Sequence, residues 1–324
     1  MAMIDVRQLV RRFDELIAVD AISFHVERGE IFGFLGPNGA GKSTTINMLA
    51  TLLSPGAGEA FINGFSIRNQ RDQVRRSIGL VFQDPSLDDR LTAEENLQFH
   101  ARLYGVPSAA ARRQIEDVLR LVDLQDRRAH LVRTFSGGMK RRLEIARGLI
   151  HAPAVLFLDE PTIGLDPQTR AHVWDYTLAL KRERSMTIFM TTHYMQEAEV
   201  CDRIAIIDHG RIIAIDTPVN LKRLVGGDVV RMRSRASAAL KQELERRYQT
   251  PVTEEGEMLQ LEVDHGEQFL PRLFQELSNP IDWIELRKPT LEDVFLRLTG
   301  RTIREEDVST KERLRTDMRR WRRS

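Results

Sequence analysis

The segment Gly36-Pro37-Asn38-Gly39-Ala40-Gly41-Lys42-Ser43 constrains this chain more than any other. It fits the pattern G-x-x-x-x-G-K-[ST]. Apolar Ile31 to Leu35 before it reads as a buried strand, and Ser43 to Ala50 after it reads as a helix. A strand feeding a helix through such a turn is a P-loop. Gly36, Gly39 and Gly41 let the backbone bend and bring bare N–H groups to phosphate oxygens at the positive end of the helix. Pro37, Asn38, Ala40 and Thr44 complete the cradle. Lys42 is expected to reach the β- and γ-phosphates and Ser43 a Mg2+ ion, so the ligand expected is a Mg2+-bound nucleoside triphosphate.

Apolar Ala154 to Leu158 runs directly into Asp159-Glu160-Pro161, which puts two carboxylates at the C-terminal end of a central strand, where open α/β sheets bind ligands. This is a Walker B strand: Asp159 is suited to hold Mg2+ and Glu160 to orient and polarise an attacking water. Further along, Ser136-Gly137-Gly138 heads a helical stretch that runs to about Ile150. Ser136 is placed as N-cap, and the two glycines leave the first N–H groups uncovered. That is a second phosphate-type helix end in a chain with one P-loop.

With these motifs in this order, residues 3 to 220 resemble the ATP-binding subunits of ABC transporters. The resemblance implies that the Ser136–Gly138 signature of one chain caps the ATP held by the P-loop of its partner, in a head-to-tail homodimer bound to separate membrane permease subunits. It implies further roles: Gln83 as the glutamine that touches Mg2+ and water and relays to the membrane subunit, Asp166 in the loop that crosses the dimer interface, and His193 on the γ-phosphate. It also implies Phe13 as the ring that stacks on adenine, for which only a ring face is needed. Phe135 and Met139 replace the commoner Leu and Gln around the signature, without touching the three residues that meet phosphate. Ser136 to Arg142 together with Pro289-Thr290-Leu291-Glu292-Asp293-Val294-Phe295 narrows the likeness to daunorubicin-resistance-type export ATPases. The fold expected is therefore an α/β P-loop NTPase of ABC type: a parallel sheet core, an antiparallel β-layer and a helical insertion over about 84–150.

Composition bounds the rest. The longest apolar runs fall far short of the roughly 18 residues that span a bilayer, and Asp5 and Arg7 do not fit a signal peptide. A cytosolic chain, peripheral on the membrane and unable to transport anything alone, is the expectation. Cys201 is the only cysteine, which excludes an intrachain disulfide, and a net charge of +1 gives no global field for nucleic acid. A ribosome-associated ATPase of the same class would carry two cassettes, and this chain has one. A DNA-repair relative would separate P-loop and signature by a long coiled coil, and no heptads intervene here.

Residues 1–225 are expected to form the nucleotide-binding domain, and Gly226-Gly227 marks a break. Over 228–299 a shorter strand–helix pattern predicts a small α+β domain, ferredoxin-like in order. The tail, 300–324, is locally basic at its end. Leu314, Met318 and Trp321 make one apolar stripe among arginines there, a pattern that suits an anionic membrane surface and equally a disordered solubilising tail or a helix docked on its own domain.

Overall fold

The computed structural model describes residues 2–83 and 86–300. The chain divides into two compact units, one ending at Asp216 and one beginning at Thr217. This boundary falls earlier than residue 225. The reason is local: helix Pro218–Arg223 packs on the helix Leu291–Thr299, and Arg297 donates to the Val225 carbonyl, so the segment before Gly226 belongs to the second unit. The basic stretch within 300–324 lies outside the described residues, as do Asp84 and Pro85 beside Gln83.

In the first unit, β1 (Ile4–Phe13) and β2 (Leu16–Val26) form a hairpin, followed by β3 (Ile31–Leu35), α1 (Lys42–Leu49), β4 (Ala57–Ile62) and β5 (Phe65–Ser66). Next come α2 (Arg71–Ser77), β6 (Ile78–Val81), α3 (Ala93–Leu103), α4 (Ser108–Leu121) and α5 (Gly137–Leu149). The unit ends with β7 (Val155–Asp159), α6 (Pro167–Arg184), β8 (Thr187–Thr192), α7 (Met195–Ala198), β9 (Arg203–Asp208) and β10 (Arg211–Asp216). Two sheets form. One is antiparallel in the order β2-β1-β4-β5, and the other runs β10-β9-β3-β8-β7-β6, parallel except for its edge strand β10.

The strands that carry the site, β3, β7 and β8, are buried along their whole length, as strands covered on both faces must be. Between the two sheets Phe24 stacks on Phe32 with ring centroids 5.4 Å apart, and Phe189 lies against Phe24, Phe32, Phe34 and Phe157. Each such ring removed from water contributes about 1.5–3 kcal/mol, so the strand ends behind the P-loop rest on a rigid platform. The helical region opens at Thr92, whose side chain accepts from the Glu95 amide while Glu95 accepts from the Thr92 amide, a complete capping box.

In the second unit α8 (Pro218–Arg223) precedes β11 (Asp228–Arg233), α9 (Ser237–Tyr248), β12 (Val252–Glu255), β13 (Met258–Val263), α10 (Gly266–Glu276), β14 (Trp283–Arg287) and α11 (Leu291–Thr299). The sheet order is β12-β13-β11-β14, antiparallel throughout, which interleaves two split βαβ units around a core of Val230, Met232, Leu240, Leu244, Leu259 and Leu261.

Candidate functional site

The P-loop bends for reasons visible in its neighbours. Gly41, at φ 102, is the N-cap of α1, and a Cβ there would meet the Ala18 carbonyl oxygen at 2.3 Å. At Gly36 a Cβ would meet the Ile207 carbonyl at 2.2 Å. Neither position tolerates a side chain. Pro37 and Ala40 are buried while Asn38 and Gly39 face solvent, and Ser43 and Thr44 are half-buried on the first turn of α1. The cradle is thus pinned between β2 and β9, with its N–H-bearing rim turned outward.

Three ionisable side chains meet behind that rim. The Lys42 ammonium, 4% exposed, donates to the Gly36 and Pro37 carbonyls at 2.8 and 2.9 Å and lies 3.2 Å from Glu160 Oε1. On the other side, Glu160 Oε2 is 3.2 Å from His193 Nδ1. Burial pushes the Glu160 carboxyl up, but the hydrogen bond from His193 and the charge of Lys42 outweigh it and leave the group below the usual carboxylate range. Glu160 also holds a left-handed backbone, φ 44, with its N–H donating to Thr191 Oγ1 at 3.0 Å. A non-glycine residue kept in that region by a specific partner is a feature of functional sites.

Asp159, next in line, accepts from Thr191 Oγ1 at 2.5 Å and from Ser43 Oγ at 3.2 Å. Mg2+ binds oxygens at about 2.1 Å in octahedral geometry, so two adjacent ligands stand about 3 Å apart. The Ser43 hydroxyl and the Asp159 carboxylate therefore have the right chemistry and spacing to share one Mg2+. Among the described residues no cluster of three His, Cys, Asp or Glu side chains could cage a metal unaided, which suits an ion held by one or two protein oxygens plus substrate phosphates.

Other residues sit apart from this centre. Gln83 is exposed two residues beyond β6. Register pairs Val81 with Leu158 and so puts Gln83 at the same sheet end as Glu160, but among the described residues its side chain hydrogen-bonds neither Ser43 nor Asp159. Phe13 ends β1 and is 41% exposed, with the Arg11 guanidinium 4.7 Å from its ring centroid. It is therefore no core residue, and it stands on the hairpin whose Ala18 abuts the P-loop. Asp166 caps α6, accepting from the Thr169 amide and hydroxyl at 3.0 and 2.6 Å, which hold its carboxyl below the usual range.

Ser136 caps α5 through the Met139 amide at 3.3 Å. A Cβ added to Gly137 would meet nothing within 4 Å, whereas one on Gly138 would strike Thr169 of α6 at 2.4 Å. The signature thus has one open glycine and one that lets α5 and α6 approach closely.

Four participants escaped sequence reasoning. Thr191 donates to the Asp159 carboxylate and accepts from the Glu160 backbone N–H. Glu197 accepts from Thr192 at 2.6 Å and from Thr162, joining the segments after β7 and β8; burial pushes its carboxyl up against those hydrogen bonds. Arg141 and Glu144 of α5 are both buried. Nothing in the neighbouring sequence marks them out, because polar and charged residues are ordinarily exposed.

Residues 19–163 match the ABC transporter family, and residues 217–299 match the C-terminal domain of DrrA1-3-like ATP-binding proteins. The chain is 41% identical to the daunorubicin/doxorubicin resistance ATP-binding protein DrrA of Streptomyces peucetius, over 95% of each chain. It is 38% identical to the linearmycin resistance ATP-binding protein LnrL of Bacillus subtilis, over 94% of this chain and all of that one. Among solved structures, a dimeric ATP-binding cassette in a post-hydrolysis state with ADP and Pi superposes with a TM-score of 0.59 at 26% identity, over 66% of this chain and 98% of that one.

Proposed function

Because this chain belongs to the ATP-binding proteins of ABC transporters and is an ATPase, we propose that two copies close head to tail on two Mg-ATP molecules and drive export through separate membrane subunits. One observation carries the reading. The first unit has two phosphate-type helix ends, and only that of α1 is backed by Lys42, Asp159 and Glu160; that of α5 offers Gly137 to open space. A half-site with its chemistry and a half-site without it suit a composite formed by two chains.

In this arrangement Lys42 leaves Glu160 for the β- and γ-phosphates, and the P-loop amides hold the remaining oxygens. Ser43 and Asp159 would hold the Mg2+, which would supply positive charge to offset that of the phosphates. Glu160, kept ionised by its partners, accepts a proton from the attacking water, and His193 orients Glu160 and meets the γ-phosphate. The partner chain contributes Ser136, Gly137 and Gly138 at the γ-phosphate and Asp166 across the interface. Gln83, at the same strand end, links the site to the permease.

A groove of about 640 Å³ beside Phe82, lined by Leu52, Arg75, His100, Leu103 and Tyr104, suits a short amphipathic permease segment. Burial, with the nearby Arg147 charge, drives His100 down to about 4, so its lining imidazole is neutral. No helix among the described residues is long and apolar enough to cross a membrane. It is membership of the ABC transporter ATP-binding proteins that supports work at the cytoplasmic face on a separate permease.

The test is Glu160→Gln. Turnover should fall at least about a hundredfold while ATP binding persists, and the chain should sediment as a dimer with Mg-ATP and as a monomer without it. Near-normal turnover removes Glu160 from its role, and a monomer at saturating Mg-ATP removes the dimer.

A further inference from the structure

Helix α5 begins with the signature and carries two buried charges one turn apart, Arg141 at 6% exposure and Glu144 at 0%. Burying either is costly, and the usual compensation would be a tight ion pair. They do not form one: the closest approach of the guanidinium to the Glu144 carboxylate is 3.9 Å. Arg141 spends its hydrogen bonds on backbone carbonyls of two segments, and Glu144 spends its own on the Ser86 amide and hydroxyl.

Arg141 Nε donates to the Pro161 carbonyl at 2.6 Å, one terminal nitrogen donates to the Phe82 carbonyl at 2.5 Å, and the other reaches the Asp159 and Glu160 carbonyls at 3.3 and 3.4 Å. Glu144 Oε1 accepts from the Ser86 amide at 2.6 Å and from its hydroxyl at 3.3 Å. Phe82 and Ser86 bracket Gln83. The helix that begins with the signature therefore grips both flanks of Gln83, and through Arg141 it also grips the backbone of the two carboxylates Asp159 and Glu160. Only a planar guanidinium presents donors in enough directions to bridge two separate segments in this way.

We propose that Arg141 and Glu144 are positioning residues that clasp the flanks of Gln83 to the signature helix, so that a displacement at Gln83 is carried to Ser136–Gly138 and to the backbone of Glu160. The proposal rests on the reading of Gln83 as the link to the permease. Its physical content is stiffness: a loop fixed at both ends to a helix moves with that helix, whereas a loop fixed at neither moves alone. The carbonyls that Arg141 gathers come from the ends of β6 and β7, so the same side chain sets where Glu160 stands relative to the signature.

The experiment compares Glu144→Leu, Glu144→Gln, Arg141→Ala and Arg141→Lys in the full chain, reading kcat, ATP KM and hydrogen exchange at the Ser86 amide. Glu144→Leu removes the acceptor, so exchange at Ser86 should quicken at least about tenfold, while Glu144→Gln keeps an acceptor oxygen and should remain within about threefold of wild type. Arg141→Ala should lower kcat at least about tenfold with KM within about twofold, and Arg141→Lys should fall between, because an ammonium cannot span both segments. A merely structural role would lower the folded fraction and leave kcat per folded molecule and exchange at Ser86 unchanged; that result overturns the clasp. If Arg141→Ala does not fold, Arg141→Lys and the two Glu144 variants decide. Normal turnover in Gln83→Ala would remove the reading of Gln83 alone, since exchange at Ser86 reports on the clasp without it.

Discussion

The N-terminal ends of α1 and α5 have the same local design, a glycine-bearing turn that leaves amides free, yet their surroundings differ in kind. Lys42 opens α1, and behind it Asp159, Glu160 and His193 stand at or just beyond the ends of the buried strands β7 and β8, linked through Lys42, Ser43 and Thr191 by contacts of 2.5–3.2 Å. At α5 the buried charges point away from the end: Arg141 and Glu144 lie on later turns and hold loops, while Gly137 is bare. A helix end with buried charges behind it can position a nucleophile. One without them can only present amides to a phosphate that something else holds. The proposed function rests on that difference, with chemistry at one end and recognition at the other.

The sharpest way to break that assignment is complementation. Lys42→Ala removes the chemistry of α1 and Ser136→Arg blocks the face of α5, so each homodimer should be inactive. A mixed dimer of the two retains one intact composite site, formed by the P-loop of the Ser136→Arg chain and the signature of the Lys42→Ala chain. Mixing should raise turnover at least about tenfold above either variant alone. A mixture as inactive as its parts, with heterodimers demonstrated, would mean that the two helix ends do not work across chains.

A second test asks whether the groups behind α1 act as one unit. The folded Glu160 carboxyl titrates below its ordinary value, so the stabilisation from its ionised form is present above that ordinary value and is lost as pH falls through the depressed one. His193→Ala deletes the hydrogen bond that opposes burial most. The acid limb of kcat against pH should then move to higher pH, along with a lower plateau. An acid limb at the wild-type position would show that His193 does not tune Glu160, whatever it does to the phosphate.

The same contrast explains what could be read in the chain before its structure. The P-loop, the strand into Asp159 and the Thr92 capping box are local: spacing and turn chemistry over a few residues suffice to place them. Arg141 is different. Its partners Phe82, Asp159 and Pro161 are distant in sequence, and only the approach of α5 to the ends of β6 and β7 turns a charged residue in a helix into a clasp.

Thr191 is equally hidden, since one threonine among the three of β8 gives no local sign that its hydroxyl will meet a carboxylate. Two strands were also obscure. The hairpin into β10 turns on His209 and Gly210, both at positive φ, where His is an uncommon choice, and β12 is a short edge strand whose outward residues are polar. Phe13 was open to two readings, core or ligand face, and its exposure closes the first.

The smallest expected effect lies at that residue and tests whether the α1 site extends to a base-binding face. Arg11 covers one side of the Phe13 ring, which leaves the other for a flat partner. An aromatic pair of this kind is worth about 0.5–1.5 kcal/mol, so Phe13→Ala should raise the KM for ATP about two- to tenfold, and Phe13→Tyr should change it by less than about twofold. Inorganic tripolyphosphate provides the internal control, because it offers the P-loop its phosphates without a base. Its inhibition constant should be the same in wild type and Phe13→Ala. If ATP and tripolyphosphate weaken together, the substitution has disturbed the P-loop through the β1–β2 hairpin at Ala18, and Phe13 is a support of the cradle. If neither weakens, adenine binds elsewhere and the chemistry behind α1 stands without it.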